Sequence, residues 1–147
     1  MGYQDKPTAA IRAALKEVLT NNVGSDVTVY DYFPTEGVRE PCVVMQNIYG
    51  TSSETALGEI VGAAERGHGI MLGFQFDVYA STPTSRDQIA DKLLLRIWSE
   101  RHSLKTASGI ELLTARRIQD VPAGEAGERL YRKSIDIPFK ITMTKAA

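Results

Sequence analysis

Apolar residues first recur at helical spacing. In Thr8–Asn22, Ile11, Leu15, Val18 and Leu19 fall on one face, which predicts an amphipathic helix. Thr8 is the expected N-cap, because its hydroxyl can accept from an amide that the first turn leaves unpaired. The helix is expected to stop near Asn21-Asn22-Val23-Gly24, where residues that tolerate the left-handed conformation cluster. The period then changes to two. Val27, Val29 and Phe33 alternate with Thr28, Tyr30 and Tyr32, which predicts a strand. Pro34-Thr35-Glu36-Gly37 predicts a turn, since proline fixes φ and glycine permits a positive one. Pro41 opens a second strand, Cys42–Tyr49, whose faces Cys42/Val44/Gln46/Ile48 and Val43/Met45/Asn47/Tyr49 are both partly apolar. Such a strand is expected inside its sheet or covered on both sides.

Alternation is clearest in Ile70–Ala80. Leu72, Phe74, Phe76, Val78 and Ala80 form one face, and Met71, Gly73, Gln75, Asp77 and Tyr79 the other. After the break at Thr82-Pro83-Thr84-Ser85, a second helix is predicted over Ser85–Arg101. Ile89, Leu93 and Ile97, flanked by Ala90, Leu94 and Trp98, give it a wide apolar stripe. Two further strands are predicted, Ile110–Val121 and Leu130–Thr144, joined by a loop of small residues, 122–127. Pro138 cannot donate to a ladder, so the last strand is expected either at a sheet edge or with its donor side free there. The order α-β-β-β-α-β-β predicts an α+β fold. The expected form is a two-layer sandwich, a mainly antiparallel sheet with two helices on one face. With 147 residues the chain is expected to form a single domain, 1–147.

The connection Gly50–Gly69 breaks this regularity. A stretch of about 20 residues between strands is long for a small domain. It carries Glu54, Glu59 and Glu65 against Arg66, together with His68. It is expected to be a long loop, or a hairpin arm that extends the flanking strands.

Composition narrows the chemistry. There are 17 basic and 18 acidic residues, a net charge of −1, which does not support a nucleic-acid coat or a polybasic membrane anchor. No apolar run approaches the roughly 18 residues of a membrane span. The polar start, Met1-Gly2-Tyr3-Gln4-Asp5-Lys6-Pro7, lacks the apolar core of a secretory signal, so a soluble, cytoplasmic origin is expected. The single Cys42 excludes an intrachain disulfide and is expected to be a small buried hydrophobe. His68 and His102 are isolated from other ligand types, and no metal site is expected. Gly58, Gly62, Gly67 and Gly69 do not form a phosphate loop, since no Gly-Lys-Ser/Thr follows them. Glu125 and Glu128 are not expected to act as a glycosidase pair, because nothing predicts a cleft between them. Arg116 and Arg117, with Arg129, Arg132 and Lys133, share one end of the sheet if their strands pair. They then form either a basic patch or a rim neutralised by Asp120, Glu125 and Glu128. No catalytic residue and no cofactor are expected. The polar strand faces, the long connection and an edge strand instead point to a chain that docks to other chains.

Three stretches carry a family resemblance. Val29-Tyr30-Asp31-Tyr32-Phe33-Pro34, a glycine-containing turn and Pro41-Cys42-Val43-Val44-Met45 resemble the opening of tail terminator and tail-completion proteins of tailed phages, which also follows an amino-terminal helix. Phe74-Gln75-Phe76-Asp77-Val78-Tyr79-Ala80, with the break and the helix after it, is similar. So is the ending Arg129-Leu130-Tyr131-Arg132-Lys133-Ser134-Ile135-Asp136-Ile137-Pro138-Phe139-Lys140-Ile141. Two features depart from the pattern: Cys42 stands where an aromatic commonly follows the proline, and the 50–69 connection is longer.

The resemblance implies a structural protein of the virion neck that is made in the host cytoplasm. It would form a homo-oligomeric ring, commonly a hexamer, that caps the tail tube and presents a surface to the head–tail connector. DNA would pass through the ring without sequence-specific contact. The candidate assembly-interface residues are Glu54, Glu59, Glu65, Arg66, His68, Arg116, Arg117, Arg129 and Arg132. The alternatives are a head-closure or adaptor protein of the same neck, or a small α+β ligand-binding or enzymatic domain.

Overall fold

Ile11, Leu15 and Leu19, spaced by four, are fully buried along one side of helix α1 (Pro7–Leu19) in the computed structural model. The structure describes residues 7–32, 39–53, 59–62, 65–115, 117–121 and 131–146. Thr8 lies inside α1 rather than capping it, because Pro7 already occupies the first turn, where a missing N–H costs nothing. The helix ends as its sequence predicts. Asn21 takes a left-handed φ of 64°, and the Asn22 side chain donates to the Val18 carbonyl at 2.8 Å. Val23 then turns back into the core, fully buried.

Strand β1 (Thr28–Tyr30) is short and pairs with β2 (Cys42–Ser53) in parallel, Thr28 opposite Cys42. The sheet is therefore mixed, and the expected strand-turn-strand opening is not a hairpin. The predicted turn 34–37 and Phe33 lie outside the described residues. Strand β2 pairs antiparallel with β4 (Glu65–Ala80), with an irregularity between Asn47 and Tyr49. Ile48 is the extra residue there, and it resets the simple alternation expected for this strand. Strand β2 lies between β1 and β4, which agrees with its two apolar faces. A further strand, β3 (Glu59–Gly62), pairs with β4 beyond the end of β2.

Thr82 caps α2 (Pro83–Ser99), accepting from the Ser85 amide at 3.1 Å. The expected single helix Ser85–Arg101 is in fact two. The backbone leaves the helix at Glu100 and resumes as α3 (Arg101–Ser108), which Gly109 closes at φ 67°. Only Leu104 of α3 is buried, so no apolar stripe announces this helix in the sequence.

The predicted strand Ile110–Val121 is likewise divided, into β5 (Ile110–Leu112) and β6 (Arg117–Val121). Both pair with β7 (Tyr131–Ala146), which runs antiparallel to β4 from Tyr131 opposite Ala80 to Ala146 opposite Glu65. The division has a physical cause. Between the pairs Leu112–Phe139 and Arg117–Asp136, β7 supplies only Ile137 and Pro138. The Leu113 amide donates to the Pro138 carbonyl at 3.1 Å, so this edge of Pro138 points toward the interruption. Proline has no N–H to give on that edge, and the outer strand bulges away where a ladder bond is impossible. Of the two expectations for Pro138, the free donor side is the observed one; β7 lies between β4 and β5/β6.

The chain is thus α+β, with three helices and a mixed sheet among the described residues, in strand order β1-β2-β4-β7-β5, β3 also on β4 and β6 on β7. One core cluster joins the apolar sheet face to the helices. Phe74, Phe76, Ile135 and Phe139 pack there with Leu15, Leu93 and Ile97. Phe74 and Phe139 meet edge to face at 6.1 Å. Burying each such side chain contributes about 1.5–3 kcal/mol.

Candidate functional site

The unusual segment 50–69 proves to be mostly strand. Register carries β2 along β4 as far as Ser53 opposite Gly69, and β3 continues on the same side, Glu59 opposite Gly67 and Gly62 opposite Glu65. On the other side, β7 follows β4 to its start at Glu65, passing Met143 opposite His68 and Lys145 opposite Arg66. Strands β3, β4 and β7 therefore form a three-stranded arm. Ile70 of β4 packs against the helical core. The five residues Glu65–Gly69 carry the arm roughly 16 Å past that point. Of the candidate interface residues, Glu59, Glu65, Arg66 and His68 lie on the arm, and Glu54 lies outside the described residues.

Among the described basic residues, Arg117 stands apart along the β6–β7 ladder from Arg132 and Lys133. Arg116 and Arg129 lie outside the described residues. Arg117 begins β6 opposite Asp136, while Arg132 stands near the far end of the same ladder, opposite Val121. Arg132 reaches Asp77 at 3.2 Å, and Asp77 is only 2% exposed. Lys133 pairs with Asp87 at 2.9 Å and with Asp120 at 3.4 Å. Arg86, buried, pairs with the same two carboxylates at 3.0 and 3.3 Å. These four groups fasten the start of α2 to β6 and β7. The hydrogen bond from Lys133, more than that from Arg86, holds the Asp87 carboxyl below its ordinary range; in return Asp87 raises Lys133. Among the described residues of this edge, Arg86 and Lys133 are neutralised by Asp87 and Asp120.

Cys42 is fully buried beside β1, and its thiol is pushed up to about 12, first by burial and then by the negative charge of Glu40. A thiol so poised stays protonated and is a poor nucleophile at neutral pH. His102 is exposed on α3. No three His, Cys, Asp or Glu residues come together as a metal site among the described residues, and no described helix is long and apolar enough to cross a membrane.

The sequence pattern did not announce one feature, an apolar groove of about 610 Å³ between α2 and the β5–β6 interruption. Leu94, Leu95 and Trp98 form one wall, and Leu112, Leu113 and Ala115 the other. Leu95 and Trp98 are 66% and 57% exposed. Among the described residues, one charged side chain lines the groove: the Arg101 guanidinium stacks 3.8 Å from the Trp98 ring centre and donates to the Trp98 carbonyl at 2.8 Å. Ile118, on the helix-facing side of β6 opposite Ile135, is 50% exposed nearby in the sheet. The sequence signal was the width of the α2 stripe. Leu94 and Trp98 extend it beyond the face that the sheet covers.

Against this geometry stands the comparison with known proteins: no protein-family model and no curated protein matches the chain.

Proposed function

We propose that this chain is a structural subunit of a tailed-phage neck, a tail terminator that closes into a ring, caps the tail tube and offers a docking surface to the head connector. The observation that carries the reading is the pairing of a projecting arm with an exposed apolar groove, in a chain whose described titratable clusters are all ion-paired fasteners. Exposed apolar surface of this kind marks interaction sites. An arm on one subunit and a receptor surface elsewhere make a heterologous contact, which closes into a ring if the rotation permits. The helices gathered on one face of the sheet, as a two-layer sandwich, would leave the other face and the arm for tube and connector. Capping then works by occupying the surface on which the next tube subunit would add, and no bond is made or broken.

The test is image averaging of particles assembled without this gene product. Tails of uncontrolled length, detached from heads, support termination. Filled heads that leak DNA assign the chain to head closure instead. The groove itself favours a second reading, a ligand-binding domain, because its volume lies in the range of small-molecule sites. A strictly monomeric chain that binds an apolar small molecule would support that reading.

A further inference from the structure

We infer that the groove between α2 and the β5–β6 interruption binds a single-chain amphiphile with a terminal carboxylate, its apolar chain along Leu94, Leu95 and Trp98 and its head on Arg101. The inference rests on the ligand-binding reading of the groove given above and names the chemical class of the ligand.

Four observations carry it. The first is shape and lining. The groove holds about 610 Å³, within the range of small-molecule sites, and its described walls are mostly leucine, alanine and indole. The second is where the charge sits. Leu94 and Trp98 lie about one helical turn apart, roughly 6 Å, and Arg101 follows beyond the carboxyl end of α2. An apolar length with a cation past one end matches a chain that carries an anionic head. The third is the state of that cation. Arg101 is held over the Trp98 ring rather than extended into water, and among the described residues one of its five N–H donors is used, on the Trp98 carbonyl. No described carboxylate pairs with it. Stacking fixes the guanidinium in place before a ligand arrives, and its fork takes a carboxylate through two parallel bonds. The fourth is the charge of the rim. From Leu94 to Ser108 the chain carries Arg96, Arg101, His102 and Lys105 against Glu100, which Arg96 already neutralises at 3.1 Å. Asp91 and Lys92, a turn before Leu95, cancel in charge. Among the described residues the rim is therefore positive around Arg101 and Lys105. That favours an anion and disfavours a second copy of the same face, whose cations would meet like charges.

Trp98 is the single tryptophan of the sequence, so the emission of the unlabelled full chain reports this groove. The side chain is 57% exposed, and covering it should shift the emission to shorter wavelength. Decanoate, 1-decanol and decyltrimethylammonium, each below its micelle-forming concentration, are the probes. Saturable binding of decanoate roughly tenfold tighter than that of decanol, with decyltrimethylammonium weakest, is the expected result. Arg101→Gln should bring decanoate down to the level of decanol, and Leu95→Ser should weaken decanoate and decanol together. Leu95 and Arg101 are exposed, so these variants keep the fold, as circular dichroism verifies. Equal affinities for decanoate and decanol, or an Arg101→Gln variant that still prefers decanoate, overturn the inference and leave an apolar ligand in the groove. An emission shift that Leu95→Ser does not weaken places the probe elsewhere and overturns the inference as well. Absence of saturable binding by all three probes overturns both the inference and the ligand-binding reading.

Discussion

Asp77 and Arg132 bind each other diagonally across the β4–β7 ladder, 3.2 Å apart, on the sheet face away from the helical core. The carboxylate is almost wholly buried, and Gln75 satisfies it further with bonds of 3.0 Å to both oxygens. The guanidinium is half-buried and also lies 5.8 Å from the Tyr79 ring centre. Arg132→Met keeps the stem and removes the charge, leaving Asp77, among the described residues, with the Gln75 amide. The expected loss is about 2 kcal/mol, that of a hydrogen bond to a charged group with one partner partly in water. Urea unfolding measures it. An unchanged midpoint accompanied by lost self-association would return Arg132 to the list of interface residues and remove it from the structural ones.

The elements legible in the sequence are those with an unbroken pattern. Ile11, Leu15 and Leu19 defined α1, and the five alternating apolar residues from Leu72 to Ala80 defined the core stretch of β4, because each buries one continuous face. The breaks were hidden. Leu104 alone anchors α3, and one buried residue makes no period. The β5–β6 division depends on Pro138, which lies in a different strand, so no local window contains its cause. The parallel pairing of β1 depends on tertiary contacts rather than on its three residues. Leu94 and Trp98 were visible as apolar, but only the narrow outer strands reveal that the sheet leaves them uncovered. The arm residues were legible as an anomaly because a polar, glycine-rich stretch of that length is unusual between strands.

Thr82 offers a local test of how α2 begins. Its hydroxyl accepts from the Ser85 amide, its backbone is extended at φ −134° and ψ 151°, and Pro83 follows at the first helical position. Thr82→Ala removes that acceptor and should cost about 1 kcal/mol. Thr82→Asn, which restores an oxygen, should recover most of it. Thermal melts of the two variants check the pair, and equal destabilisation by both would show that the hydroxyl bond contributes nothing.

Cys42 should be silent toward thiol reagents in the folded chain. Its thiol sits at about 12, so the thiolate fraction at pH 8 is on the order of one in ten thousand, and the side chain is fully buried besides. Ellman's reagent should titrate no thiol in buffer and one in 6 M guanidinium. Rapid reaction in buffer would mean that β1 opens readily, since β1 covers this edge of β2.

The fastener of Arg86, Asp87, Asp120 and Lys133 should give β6 a bounded window of stability in pH and salt. Strand β6 is short and nearly all exposed, so it depends on its ladder with β7 and on these charges. Asp87 is held below its ordinary range in the fold. Its contribution is therefore fully present above the unfolded carboxylate value of about 4, and it is lost as pH falls through the lower folded value. Lys133 is raised, so its contribution is complete below about 10.5 and is lost as pH climbs through the higher folded value. Between those limits both are ionised in either state, and the pairing holds at full strength. Asp87→Asn should then lower the denaturation midpoint by an amount that is constant from about pH 5 to pH 9 and shrinks toward zero below about pH 4, where the wild-type carboxyl also becomes neutral. At 1 M salt, where the screening length is about 3 Å, the difference should narrow at every pH, because Asp87 and Asp120 are well exposed. Hydrogen exchange localises the effect: amides of Arg117–Val121 should exchange faster in the variant, and those of the central β4–β7 ladder should not. A difference that ignores both pH and salt would mean that these charges do not hold the strand.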